Sequence, residues 1–542
     1  MNQITTVRDA LKSSVQIYSA RTAFVVADES RVLTDISYEH FGKDVDAFCF
    51  ALREKLGLGG KHIGIMAANS YKWCVAYFAL LSGVGVAVPL DKDNSPEETA
   101  GLIEFGEVEA VICDRRRAQE LYPFVKDKGI TLICTDSDSE GTVSFDSLIE
   151  YGRLFIEAGG RVNYTVDSDS LAVLIFTSGT TGVSKGVMLS NRNLVSDMKA
   201  VSNNISLSYE DRTLSVLPLH HTYEAMALLM AVRCGATVCF ASSYKNLTAD
   251  FKLYRPTVLV CVPLILEKLN RRIEKEIERQ GRTGKSKLAS LVSGVVSEDS
   301  KRKMFSSVHE SFGGRLRKII VGAAAVNKST VDAFESYGIP VIIGYGLTEC
   351  SPIVLCNSDI DRKSDSVGKP LRGAEVKIID ADDKGVGEIA VRGPMVMLGY
   401  YKNPEATKTV LQDGWLKTGD LGFVDRHGYY RITGRRKNVI VTSGGKNIYP
   451  EEIEHYILKS PLIAECLVYA KKDKEIIAEI YPDEGEMLRK SKKERLSEGD
   501  KELYTEAVVR TVNKKLPPYK RIKSYIIRDK EFEKTATHKI KR

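Results

Sequence analysis

The chain has 542 residues, 43% of them hydrophobic and 27% charged, with a formal net charge of +7. That length is too great for one core and predicts three or four compact units, and the composition is that of a soluble globular protein. The 10 cysteines are scattered, with no CxxC pair and no His at metal-ligand spacing beside them, which points away from a metal cluster and toward buried reduced thiols in a cytosolic protein.

In chain order, the opening MNQITTVRDALKSS has no apolar core of a secretory signal. Trp73 to Leu90 is uncharged throughout, but Gly83, Gly85 and Pro89 interrupt it. A membrane span needs about 20 apolar residues, so this stretch is better read as a buried helix followed by the strand VAVPL. The runs HIGIMA, AVICD, LAVLIF, LSVLPL, TVLVCVP, KIIVGA and PVIIGYG alternate with helical periodicity, which predicts parallel α/β layers. FDSLIE at Phe145 has the Asp-Ser-Leu of carrier proteins but no helical carrier module around it, and it is set aside.

After the strand-like Leu171 to Phe176 comes a loop dense in Thr, Ser and Gly with a single cation, Lys185. A buried strand opening into Gly179, Gly182 and Gly186 can aim several N–H groups and hydroxyls at one spot, the chemistry of a phosphate cradle. The order Ser184–Lys185–Gly186 does not fit the P-loop pattern, and the nearer match GRTGKS at Gly281 lacks its first Gly, which falls on Arg279. Leu264 to Lys301 reads as an insertion. Leu266, Leu269, Ile273 and Ile277 form a narrow apolar seam on a charged helix there, suited either to packing on the body or to a membrane surface.

From about Glu375 the texture changes to short strands with Asp, Lys and Gly turns, a small β-unit, and after RITGRRKNVIVTSGG a mixed α+β tail follows. From Lys437 onward 24 Lys and Arg face 18 Asp and Glu, 24 − 18 = +6. Such a module suits nucleic acid, acidic lipid or a polyphosphate cofactor, and with no aromatic-interleaved basic motif for nucleic acid the polyphosphate reading leads. The charge run Leu488 to Glu502 reads as a solvated segment.

Further motifs point at a nucleotide. GYGLTE (Gly344 to Glu349) offers a ring, a hydroxyl and a carboxylate in one turn, GWLKTGD ends in Asp420, GRRK supplies cations, and KTATHKIKR closes the chain. Together with TSGTTGVSKGV and GRRKNVIVTSGGKNIYPEEIE, in this order, they resemble the AMP-forming acyl-CoA synthetases over essentially the whole chain, and LPLHHTYE with the segment after VPLILEKL is most similar to the long-chain fatty acyl members.

The resemblance implies an α/β fold with a large adenylating domain, residues 1–436, of layered α/β subdomains plus a small β-unit. A small mobile α+β domain, 437–542, would turn about a hinge at Lys437. It implies ATP, Mg²⁺ and coenzyme A as cofactors and a fatty acid as substrate. Thr177, Ser178, Gly179, Thr180, Thr181, Gly182 and Lys185 would grip pyrophosphate, and Gly344, Tyr345 and Gly346 would hold adenine, with Tyr345 stacked on it. Thr348 would contact the α-phosphate, Glu349 would hold the metal, and Asp420 and Arg435 would bind ribose. His221 would sit beside the acid's carboxylate and Lys539 would be the catalytic cation. Gly322, Ala323 and Ala324 would border the acyl site, and Gly444 and Gly445 the pantetheine tunnel. His538 stands where the family has Gly, Glu533 where Pro is usual, and GAAA replaces GGAP, its extra methyl at Ala323 placed to narrow the acyl site. Three alternatives stay open: a ligase for medium-chain or aryl acids, one that loads a carrier-protein thiol, and a nucleotide-binding homologue impaired in catalysis. The expected setting is the cytoplasm, with contact at the inner membrane face as a further option and no nucleic-acid partner.

Overall fold

The computed structural model describes residues 4–136, 141–177, 185–279, 297–441, 447–471, 475–491, 493–534 and 540–541. Each apolar branched run that predicted a strand contains one: His62–Met66, Val108–Cys113, Leu171–Thr177, Arg212–Ser215, Val258–Cys261, Lys318–Val321 and Val341–Gly346. The uncharged stretch from Trp73 resolves into the buried helix Tyr71–Ala79 and the strand Val86–Pro89. No described helix is long and apolar enough to cross a membrane. All 10 cysteines are free thiols, and only Cys234 is less than fully buried.

Among the described residues two large sheets form the frame. In one of 8 strands, Val86–Pro89, His62–Met66, Val108–Cys113, Thr131–Cys134 and Thr142–Ser144 run parallel beyond Leu171–Thr177, which pairs antiparallel on its other side with Lys185–Ser190. In the other, of 9 strands, a parallel block from Thr22–Ala27 to Val341–Gly346 is closed at both edges by antiparallel neighbours. Strands buried on both faces can be apolar throughout, which is why they read as continuous runs.

Contacts divide the chain into two compact units rather than three or four. Both large sheets fall in the first, Met1–Ser364 with Gly368–Glu375 and Val391–Leu416. The physical reason is helix Tyr38–Phe50, which packs on the Leu33–Ser37 strand of one sheet and on helices Tyr71–Ala79 and Phe145–Glu157 over the other, its Phe41, Phe48 and Val45 fully buried. Helix packing thus joins the two sheets, while a further buried cluster around Val88, Val111 and Leu132 belongs to the 8-stranded sheet alone.

The second unit comprises Asp365–Val367, Val376–Ala390 and Lys417–Arg542. Short antiparallel strands lead to a three-stranded sheet, Ile463–Ala470, Ile476–Pro482 and Ser524–Ile527, covered by helices Pro450–Leu458 and Glu498–Lys515. The insertion helix in the first unit, Pro263–Arg279, turns its seam inward: Leu266, Leu269, Ile273 and Ile277 are all buried, beside a cavity of about 120 Å³ shared with Phe251 and Phe312. The seam therefore packs on the body, and offers no apolar face to a membrane. GRTGKS lies outside the described residues.

Candidate active site

In the first unit, Leu171–Thr177 and Lys185–Ser190 pair antiparallel, with Thr177 opposite Lys185. The Thr177 hydroxyl donates to the Lys185 carbonyl at 3.4 Å. Ser178, Gly179, Thr180, Thr181 and Gly182 lie outside the described residues. Neighbouring strand Gly399–Tyr400 pairs with the same hairpin, Tyr400 opposite Val187, and the Lys185 ammonium lies 4.8 Å from the Tyr400 ring centroid.

The strand Val341–Gly346 carries Gly344, Tyr345 and Gly346 to a 3₁₀ turn, Thr348–Cys350. Gly346 is obligatory, because a Cβ there would stand 1.7 Å from the Pro352 carbonyl oxygen. That close approach lets the Leu347 N–H donate to the same oxygen at 2.8 Å and folds the turn back on itself. Behind it, the Ile353 N–H donates to the Asp197 carboxyl at 3.1 Å and the Ser351 hydroxyl to the Met395 carbonyl at 2.8 Å. Asp197 is fully buried, and burial pushes its pKa far above the carboxylate range. The turn presents Glu349, whose Oε1 accepts from the Tyr400 hydroxyl at 2.8 Å and whose carbonyl accepts from the Met397 N–H at 2.9 Å.

The histidine turn reaches the same place. Strand Arg212–Ser215 ends in LPLHH, and helix Thr222–Arg233 starts with His221 as its N-cap. Asn69 fixes the turn: its amide donates to the Ser215 hydroxyl (3.0 Å) and the Leu217 carbonyl (2.7 Å), and its oxygen accepts from the Leu219 N–H (2.9 Å). Glu224, 2% exposed, accepts from the Ser215 hydroxyl and the Leu217 N–H, yet burial raises its pKa to about 8. Burial lowers His220 to about 4, so it is neutral, and its ring lies 4.3 Å from that of His221. The Thr222 and Thr348 hydroxyls are 3.5 Å apart, which sets the histidine turn against the Thr–Glu turn. A Cβ on Gly322 would lie 3.2 Å from the Tyr223 hydroxyl and 3.3 Å from the Gly344 carbonyl, so the GAAA stretch borders both turns. Ala323 takes φ +69°, the left-handed region that costs a residue with a Cβ, and Ala324 is exposed.

In the second unit, Asp420 and Arg435 are cross-strand partners joined at 2.9 Å, with Asp420 buried. Arg436 pairs with Glu388 at 2.6 Å, and Glu388 also accepts from the Gly419 N–H at 2.9 Å. Lys437 is exposed, on the 3₁₀ turn Arg436–Asn438, within this unit. Gly444, Gly445, His538 and Lys539 lie outside the described residues. The backbone on either side of 535–539 is tied together by the Lys534↔Ile540 bridge and by the Lys541 N–H donating to the Glu533 carbonyl at 2.8 Å.

Thus one unit gathers Thr177, Lys185, His221, Gly322, the Gly344–Gly346 strand end, Thr348 and Glu349, and the other Asp420 and Arg435. Among the described residues no group of three His, Cys, Asp or Glu side chains could hold a metal. A single carboxylate such as Glu349 fits a divalent cation that arrives with phosphate oxygens and water as its other ligands. Sequence reading missed Tyr400, Asn69 and Asp197. Glu224 was in view within LPLHHTYE, but nothing in the sequence distinguished a buried acid from a surface one.

The model of the AMP-binding enzyme family matches residues 11–401, and that of the AMP-binding enzyme C-terminal domain matches residues 437–542. A long-chain-fatty-acid–CoA ligase of Mycobacterium bovis is 30% identical, covering 94% of this chain and 90% of the relative. A chloroplastic long-chain-fatty-acid–acyl-carrier-protein ligase of Arabidopsis thaliana is 29% identical, over 89% of this chain and 77% of the relative. Among solved structures, the o-succinylbenzoate coenzyme A synthetase of Bacillus subtilis in complex with ATP and a magnesium ion is similar in fold. Its TM-score is 0.74 at 23% identity, over 98% of each chain.

Proposed function

The chain belongs to the AMP-binding enzyme family, and within it we propose that the protein activates a long-chain fatty acid with ATP and passes the acyl group to coenzyme A. The observation that carries this reading is the 3.5 Å approach of Thr222 to Thr348, which sets a histidine turn suited to the acid beside a Thr–Glu turn suited to phosphates.

A carboxylate is a poor electrophile, since its charge repels nucleophiles and oxide is a very poor leaving group. Attack by the acid's oxygen on the α-phosphorus of ATP forms a new O–P bond and expels pyrophosphate, giving a mixed anhydride whose leaving group is AMP. The thiol of coenzyme A then attacks the acyl carbon, gives up its proton and releases AMP. In this reading Thr177 to Gly182 with Lys185 hold the departing pyrophosphate, Thr348 the α-phosphate, Tyr345 the adenine, and Asp420 with Arg435 the ribose. Mg²⁺, when bound at Glu349, would neutralise charge building on the phosphates. Lys539 supplies a further cation at the α-phosphate. His221, beside neutral His220, orients the acid, Gly322, Ala323 and Ala324 line its entry, and Gly444 and Gly445 admit the pantetheine arm. Residues 437–542 turn about Lys437 between the two steps. A carrier-protein thiol is the alternative acceptor. In this reading the protein works in the cytoplasm, with contact at the inner membrane face as a further option.

The test is thioester formation with acids from octanoate to stearate and with benzoate, offered coenzyme A or a phosphopantetheinylated carrier protein. Acyl-CoA rising with chain length supports the proposal. Thioester only on the carrier, or only from benzoate, would replace it with that alternative.

A further inference from the structure

Glu349 and Lys185, the carboxylate offered to a cation and the cation offered to phosphates, lie on different elements and form no ion pair among the described residues. One side chain stands against both. The Tyr400 hydroxyl donates to Glu349 Oε1 at 2.8 Å, while the Lys185 ammonium lies 4.8 Å from the centroid of the same ring. Tyr400 is itself rigidly held: it is 7% exposed, its backbone pairs with Val187, and its N–H donates to the Thr407 hydroxyl at 2.8 Å. We infer that Tyr400 is a positioning residue for metal–nucleotide binding, a phenol spacer that orients Glu349 for a divalent cation and seats Lys185 for phosphate while keeping the two from neutralising each other.

The chemistry supports each half. A carboxylate with one oxygen held by a hydroxyl donor has its rotamer fixed and its other oxygen free for a cation, and such supporting partners affect metal affinity by about 10- to 100-fold. An aromatic face attracts an ammonium yet leaves its N–H groups unspent, so Lys185 keeps them for phosphate oxygens. A direct Lys185–Glu349 bond would occupy both groups before the nucleotide arrived.

The inference rests on the proposed nucleotide-binding reading, and equilibrium binding of ATP separates the two. Affinity for ATP is measured calorimetrically without metal and across a Mg²⁺ titration, for wild type, Tyr400→Phe, Tyr400→Leu, and Tyr400→Phe in a Glu349→Gln background. Tyr400→Phe keeps the ring and loses only the hydroxyl. It should raise the half-saturating Mg²⁺ concentration by about tenfold or more while leaving metal-free ATP affinity within about twofold. Tyr400→Leu should add a loss of metal-free affinity of about threefold or more, as Lys185 loses its seat. In the Glu349→Gln background the Mg²⁺ effect of Tyr400→Phe should vanish. Unchanged Mg²⁺ dependence in Tyr400→Phe, or the same shift with Glu349 already replaced, overturns the positioning role alone. Wild type that binds no ATP with or without Mg²⁺ overturns the nucleotide reading and this inference together.

Discussion

Glu224 shows how much a single residue can hide. Nothing in LPLHHTYE marks it out, but the fold buries it and raises its pKa to about 8, from an ordinary 4.5. A carboxyl whose folded pKa is raised contributes stability that is fully present below the unfolded value and is lost as pH climbs through the folded value. The window is therefore pH 4.5 to 8. Relative to Glu224→Gln, a neutral near-isostere, wild type should lose up to about 1.4 kcal/mol per pH unit across that window and level off above it. Denaturant midpoints of the two proteins measured over this range would show the divergence; parallel curves would mean that the carboxyl titrates as an exposed one. Asp197, Asn69 and Tyr400 were illegible for a related reason. Their partners lie 156, 148 and 51 residues away along the chain, and only folding makes them neighbours.

At the scale of elements, the strands were legible because parallel strands covered on both faces leave uninterrupted branched runs. Their ends were not. LSVLPL reads as one strand, yet pairing stops at Ser215, because the Asn69 side chain takes over the carbonyl of Leu217 and the N–H of Leu219. A distant side chain decides where the strand stops and the histidine turn begins. The short hairpin Thr22–Ala27 with Leu33–Ser37 escaped notice as well, since its sheet partner Thr237–Phe240 is remote in sequence. The 3₁₀ turn Arg436–Asn438 carries the proposed hinge, with Asn438 tied to Glu451 at 2.6 Å just beyond it. Proline fixes φ near −65° and removes the N–H, so Lys437→Pro should lower thioester formation by orders of magnitude if this turn must change conformation between steps. Lys437→Ala keeps backbone freedom and should cost far less. Equal losses in the assay of coenzyme A acylation would assign the effect to the side-chain charge.

For the molecule as a whole, the motifs named the chemistry and their order along the chain named the family. A large and a small domain were expected from the resemblance, but the grouping of Asp420 and Arg435 apart from Thr348 and Glu349 was not legible, because it depends on strand pairing that only folding makes. On the proposed mechanism this chain makes an acyl adenylate before any thiol takes part. ATP–pyrophosphate exchange without coenzyme A measures that step alone, since label returns to ATP only if adenylate formation is reversible on the protein. Palmitate should drive exchange in wild type, and Lys539→Ala should lose it by orders of magnitude while still converting supplied palmitoyl adenylate and coenzyme A to thioester. Exchange that ignores the acid, or is absent with every acid tried, would contradict adenylation by this protein.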